Sequence, residues 1–179
     1  IYDEVSFDRY HSHHDRIGKV WQFVQFGPEK SAYDVVPLPL AVEMKEKYPD
    51  VEAVSKSALR GIIISNGDKM FSKVGQYVQP SFTKMMSIRM VSGSDNLKDV
   101  NSVLLSQSFA RALFGEENPV SKIVRLNSNR DVKVVGVFED LPGNSSFRET
   151  QVLAPWDLYV AIDPSLRNAE TNGGENSYQ

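Results

Sequence analysis

The chain contains no cysteine, so neither a disulfide framework nor a thiolate metal site can form. No apolar run approaches the roughly 20 residues that a membrane-spanning helix needs. The N-terminus lacks the basic-then-apolar pattern of a signal peptide, since Ile1–Arg16 is mostly polar. No G-x-x-x-x-G-K-[ST] run is present, which excludes ATP binding through a P-loop. Charge of one sign is not in excess: 20 Lys and Arg face 23 Asp and Glu, and the basic residues are scattered. A nucleic-acid partner would require a basic patch, so none is expected. The chain starts at Ile1 without an initiator Met, and we read it as a segment of a longer protein. Membrane spans of that parent would leave no trace here.

What is present suits a packed soluble domain. Of 179 residues, 41% are apolar, enough for a core in one domain or two small lobes. Val20–Phe26 is rich in β-branched and aromatic residues and predicts a strand ended by Gly27-Pro28. After a loop, the spacing of Leu40, Met44 and Tyr48 predicts a helix over Pro37–Tyr48, stopped by Pro49. Val51–Ser57 and Leu59–Ser65 predict two strands. Asn66-Gly67 then turns the chain into a further strand, Lys69–Val78. Phe82–Met90 shows no clear period. Val103–Ser106 reads as a short buried strand. Ser106 is placed to cap a helix carrying Phe109, Ala110, Leu113 and Phe114 on one stripe, with Gly115 as its C-terminal cap. Ile123–Leu126 and Val132–Phe138 predict a hairpin around residues 127–130. Gln151–Ala154 predicts another strand and Trp156–Ile162 a short helix.

This mixture of adjacent hairpins and isolated helices predicts an α+β fold rather than a doubly wound parallel sheet. The break at Pro80-Ser81 suggests two lobes. The expected division is a linker or short helix over 1–16, a first βαβ-type lobe over 17–80, a smaller, mostly β lobe with one helix over 81–163, and a polar tail over 164–179.

Few residues suggest chemistry. His11, His13 and His14 are the candidate metal ligands, because neutral imidazole suits zinc, copper or nickel. Their i, i+2, i+3 spacing does not share one helix face, and no His-Glu-x-x-His pattern accompanies them. A solvated connecting segment explains them better. Ser81-x-x-Lys84 and Ser94-Asp95-Asn96 match two motifs of penicillin-binding serine acyltransferases, but they lie too close together and no Lys-Thr-Gly follows. Glu116-Glu117 and Glu139-Asp140 sit beside turn residues and read as solvated acids. Asn144-Ser145-Ser146 is a glycosylation sequon that matters only in a host that glycosylates it. Trp21, Phe23, Phe26, Phe109 and Phe114 are expected in the core. The residues point to no catalytic group and no cofactor.

One ordered set of short matches is more specific. Asn101–Ser106, Ala112–Gly115, Glu117–Val120, Val134–Phe138 and Asp140-Leu141-Pro142 follow one another as in the extracytoplasmic core domain of FtsX-like and MacB-like ABC transporter permeases, Bacteroidetes versions above all. Upstream, Tyr2-Asp3-Glu4, Ser6–His11 and Asp15-Arg16-Ile17 resemble the segment after the first membrane helix of such permeases, and Ala41–Val54 resembles their first helix and second strand. Gly18 departs from the usual Tyr. The family's domain also ends in a further strand and helix that return to the first lobe, and this chain stops about where that strand should begin. The resemblance implies a non-catalytic domain, with ATP hydrolysed by a cytoplasmic ABC ATPase. Implied partners are a second permease protomer, that ATPase through the parent's membrane part, and a periplasmic adaptor or lipoprotein. The implied location is the periplasmic side of a cytoplasmic-membrane protein. The alternative reading is an extracytoplasmic sensor or ligand-binding module of a signalling receptor.

Overall fold

The structure, a computed structural model, describes residues 8–167. In chain order the elements are β1 (Gln22–Phe26), β2 (Glu29–Tyr33), α1 (Leu40–Lys47), β3 (Ser57–Asn66), β4 (Lys69–Val78), α2 (Ser81–Met85) and β5 (Met90–Gly93). There follow β6 (Ser102–Ser106), α3 (Gln107–Phe114), β7 (Ile123–Leu126), β8 (Arg130–Phe138), β9 (Val152–Pro155) and α4 (Trp156–Ile162). The fold is α+β, with one seven-stranded sheet and one two-stranded sheet.

The large sheet runs β5-β8-β6-β9-β4-β3-β7, and β7 pairs again with β8. Six strands therefore close into a ring, and β5 pairs with the Gly136–Phe138 end of β8, past the stretch that pairs with β7. Both parallel pairings, β4 with β9 and β6 with β8, depend on long connections. The strand β6 explains itself from its sequence. Val103, Leu104 and Leu105 are consecutive, apolar and wholly buried, as expected of a strand covered on both faces. Val103 and Leu105 join the main core with Ile62, Ile64, Val134, Val152, Phe109 and Leu113. Leu104 faces the other way, into a smaller cluster of Val78, Phe82, Leu97, Phe138 and Leu153.

The caps of α3 form where the sequence places them. The Phe109 amide donates to Ser106 Oγ at 3.4 Å, and Gly115 takes φ +67°. The β7–β8 turn places Asn127 and Ser128 at positive φ. The β3–β4 hairpin pairs Asn66 with Lys69 across a turn begun by Gly67 at φ +58°.

Several expectations fail, each for a physical reason. Residues 51–56 form no strand; β3 is a single ten-residue strand beginning at Ser57. The loop expected after Gly27-Pro28 is instead β2: Gly27, at φ +62°, lets the chain reverse within two residues, pairing Phe26 with Glu29. The expected boundary at 80/81 runs through the large sheet, because β3 and β4 bond to β7 and β9 rather than to β1 and β2. The β1–β2 hairpin is a separate two-stranded sheet, and α1 follows it in the chain. These elements bury little. Phe23 is 77% exposed and Trp21 49%, against the expectation of core. A lone two-stranded sheet has no second layer to cover it. The Phe26 side chain lies outside the described residues. None of the α1 residues is buried. Leu38, between two prolines, is the residue just before α1 that enters the main core. At the other end, Leu166 is fully buried there too, so the polar tail begins no earlier than Arg167; residues 168–179 lie outside the described set.

Candidate functional site: the docked N-terminal segment

Asp8–Arg16 forms successive turns rather than a helix or an extended linker. It is clasped by two loops of the large-sheet unit, one after α2 and one after β8. Asp8, at φ +56°, donates its amide to the Asn144 carbonyl at 2.8 Å. Its carboxylate accepts the Ser146 amide at 2.7 Å and the Ser146 hydroxyl. Ser145 beside it is fully buried, and its hydroxyl accepts the Phe147 amide at 3.0 Å. On the other side, the Ser12 amide donates to Ser87 Oγ at 2.9 Å.

His11 is the centre of this junction. It is only 3% exposed, which overturns the solvated reading of this residue. Its Nδ1 lies 2.8 Å from the Met86 carbonyl. A carbonyl only accepts, so Nδ1 carries a proton. Nε2 has no hydrogen-bond partner among the described residues, and the carboxylate oxygen Asp8 Oδ1 is 3.9 Å away. The Tyr10 ring lies 3.9 Å from the imidazole, and Phe147 meets it edge-on at 6.4 Å. Burial pushes the Tyr10 phenol above its ordinary range. Phe147 also packs edge-on against Phe82 of α2, which ties the segment to the smaller core cluster.

The three histidines do not converge. His14 Nδ1 donates to the His11 carbonyl at 3.2 Å, and His13 Nδ1 accepts from the Arg16 guanidinium at 2.9 Å. Among the described residues no group of three His, Cys, Asp or Glu side chains could hold a metal ion. The acyltransferase-like motifs are also structural. Ser81 Oγ donates to the Val54 carbonyl, and Asp95 accepts from the buried Thr83 hydroxyl.

An open cleft of about 600 Å³ lies between β5, α3 and residues 115–119. Its charged groups already have partners. Arg111 pairs with Glu116. The Asp140 carboxylate accepts the Ser108 amide and hydroxyl and so fills the N-terminus of α3. Two members of the clasp, Asp8 and Ser146, are 138 positions apart. No local signal joins them, so residue-by-residue reading could not find the site.

Residues 3–176 match the family described as MacB-like periplasmic core domain. A domain assigned to a permease protein of Porphyromonas gingivalis superposes with a TM-score of 0.70 at 27% identity, over 88% of this chain and 67% of that one. The periplasmic region of MacB from Actinobacillus actinomycetemcomitans gives 0.58 at 19% identity, over 70% of this chain and 57% of that one. The extracellular domain of the transporter YknZ from Gram-positive bacteria gives 0.57 at 15% identity, over 78% and 86%. The last two likenesses concern the fold alone. No curated protein matches the chain. Among the described residues no helix is long and apolar enough to cross a membrane. With its α+β architecture and this match along nearly its whole length, the chain belongs to the family of MacB-like periplasmic core domains of ABC transporter permeases.

Proposed function

We propose that this domain is a non-catalytic coupling element of an ABC transporter permease. It links ATP hydrolysis in the cytoplasm to the handling of a substrate or partner outside the membrane. The parent works as a pair of protomers in the cytoplasmic membrane, with a separate or fused ABC ATPase on the inner side and an adaptor or lipoprotein as external partner. The observation that carries the reading is the clasp on Asp8–Ser12. In such a parent this segment follows a membrane helix. Hydrogen bonds from Asp8, His11 and Ser12 to two separate loops would make a displacement of that helix a displacement of the large sheet.

The test uses the full-length parent with its ATPase in proteoliposomes. Asp8→Ala with Ser146→Ala removes the carboxylate contacts at a partly exposed place. ATP hydrolysis should continue while transport, or the ATP-dependent movement of a spectroscopic label on β4, falls several-fold. An unchanged ratio of transport to hydrolysis would sink the coupling role. A parent without membrane spans would sink the permease reading itself.

A further inference from the structure

Within a short stretch, Asp8–Ser12 holds two loops at once. Asp8 bonds to Asn144 and Ser146, and Ser12 bonds to Ser87. His11 between them touches both loops, through the Met86 carbonyl and the edge of Phe147. Phe147 in turn meets Phe82 edge-on at 5.5 Å, on the helix that leads into the Ser87 loop. The two loops are thus tied to each other as well as to the segment. The junction also concentrates local costs. Asp8 and Ser87, one on each side of it, are held at φ +56° and +49°, a region that residues other than glycine seldom adopt. Both buried side-chain polar atoms without a hydrogen-bond partner among the described residues, Tyr10 Oη and His11 Nε2, lie in this segment. Such atoms weigh against the docked state. No strand pairing offsets them: residues 8–21 form turns and irregular chain, while the large sheet is held by continuous ladders. A segment with few, mutually dependent contacts opens before the core does.

We propose that Asp8–Ser12 is a two-state strap: it docks on the 86–87 and 144–147 loops together, or leaves both together while the large sheet stays folded. Linkage then sets a strict requirement. Weakening the hold on one loop must loosen the hold on the other by the same factor. A frayed end behaves differently. There the contacts of Asp8 would open more readily than that of Ser12, and a loss at Ser87 would leave them unmoved. The inference depends on the clasp geometry and not on the transport reading.

The experiment is hydrogen exchange of the folded 179-residue chain, followed by NMR at several urea concentrations below the unfolding transition. The amides of Asp8, Ser12 and Ser146 read the strap. Those of Ser106 and Gln151, bonded to the Gln151 and Val74 carbonyls at 2.9 Å each, read the sheet. In the wild type the strap amides should share one protection factor, at least about ten-fold below the sheet amides and with a weaker urea dependence. Ser87→Ala removes the acceptor for Ser12 and should lower protection at Asp8 and Ser146 by about five-fold. Asp8→Ala should lower it at Ser12 by a similar factor. Strap amides that match Ser106 and Gln151 in protection and urea slope overturn the proposal, because the strap then leaves only on global unfolding. Strap amides with no protection, or with unequal values, overturn it too. So does a Ser87→Ala effect confined to Ser12, or an Asp8→Ala effect that does not reach Ser12. These readouts say nothing about transport, so failure here is distinct from failure of the coupling role.

Discussion

Leu104 and Leu105 are chain neighbours with opposite surroundings, and truncating each one separately tests the architecture. Both are fully buried in β6. Leu105 belongs to the main core, and Leu104 to the smaller cluster with Val78, Phe82, Leu97, Phe138 and Leu153. A buried Leu→Ala change in either cluster should destabilise by about 3 kcal/mol, counting lost transfer energy and the residual cavity. For a chain of this length, 1 kcal/mol moves the melting temperature by about 2–4 °C. Each variant should therefore melt about 6–12 °C below the wild type in a calorimetric or circular-dichroism scan. Leu59→Ala is the control: Leu59 is 57% exposed on β3, and its truncation should shift the melting point by no more than about 2 °C. The two side chains share no packing face, so the double variant should lose about 6 kcal/mol, comparable to the whole stability of a small domain. If Leu104→Ala behaves like Leu59→Ala, β6 is covered on one face only. The second layer, and with it the seat of the N-terminal clasp, is then wrong.

Three further outcomes follow from local geometry. Gly93→Ala should destabilise by about 1–3 kcal/mol in urea titration, because Gly93 sits at φ +75° and a Cβ there would lie 2.4 Å from the Val135 carbonyl oxygen. Ser106→Ala should cost about 1 kcal/mol by removing the acceptor for the Phe109 amide, with little effect if α3 is capped only by Asp140 at Ser108. Tyr77, stacked on Tyr159, has its phenol raised by burial above the ordinary value near 10. Its contribution is complete below the unfolded value and is lost as pH rises through the folded one. Ultraviolet titration should therefore show late-ionising phenols, Tyr10 and Tyr77, and one fewer of them in Tyr77→Phe; a titration unchanged by that substitution would contradict its burial.

Legibility in the sequence tracked how local each cause is. The α3 helix was readable from its stripe of Phe109, Ala110, Leu113 and Phe114 and from its two caps, since every partner lies within a few residues. The β7–β8 and β3–β4 hairpins were readable because the turn itself imposes the pairing. By contrast β2, with one intermediate position flanked by exposed ones, carries no hydrophobic alternation and read as loop. Trp21 and Phe23 look like core on any scale, and their exposure depends on what lies across from the hairpin. Their residue type carries no information about that.

The clasp divides the same way. The order of short matches from Asp8-Arg9-Tyr10-His11 through Asp140-Leu141-Pro142 was enough to identify the family, because family resemblance survives in linear order. The lack of cysteine likewise excluded disulfides, and the lack of the Gly-rich motif excluded a P-loop in this chain. Only the tertiary structure decided that β3 and β4 close a ring with β7 and β9, since strand pairing across the chain is set by shared burial and not by neighbours. It also turned His11 from one of three polar histidines into a buried ring with one satisfied nitrogen and one without a hydrogen-bond partner among the described residues. Burial and hydrogen bonding belong to the partners Met86, Ser146 and Phe147, which chain folding brings from far along the sequence.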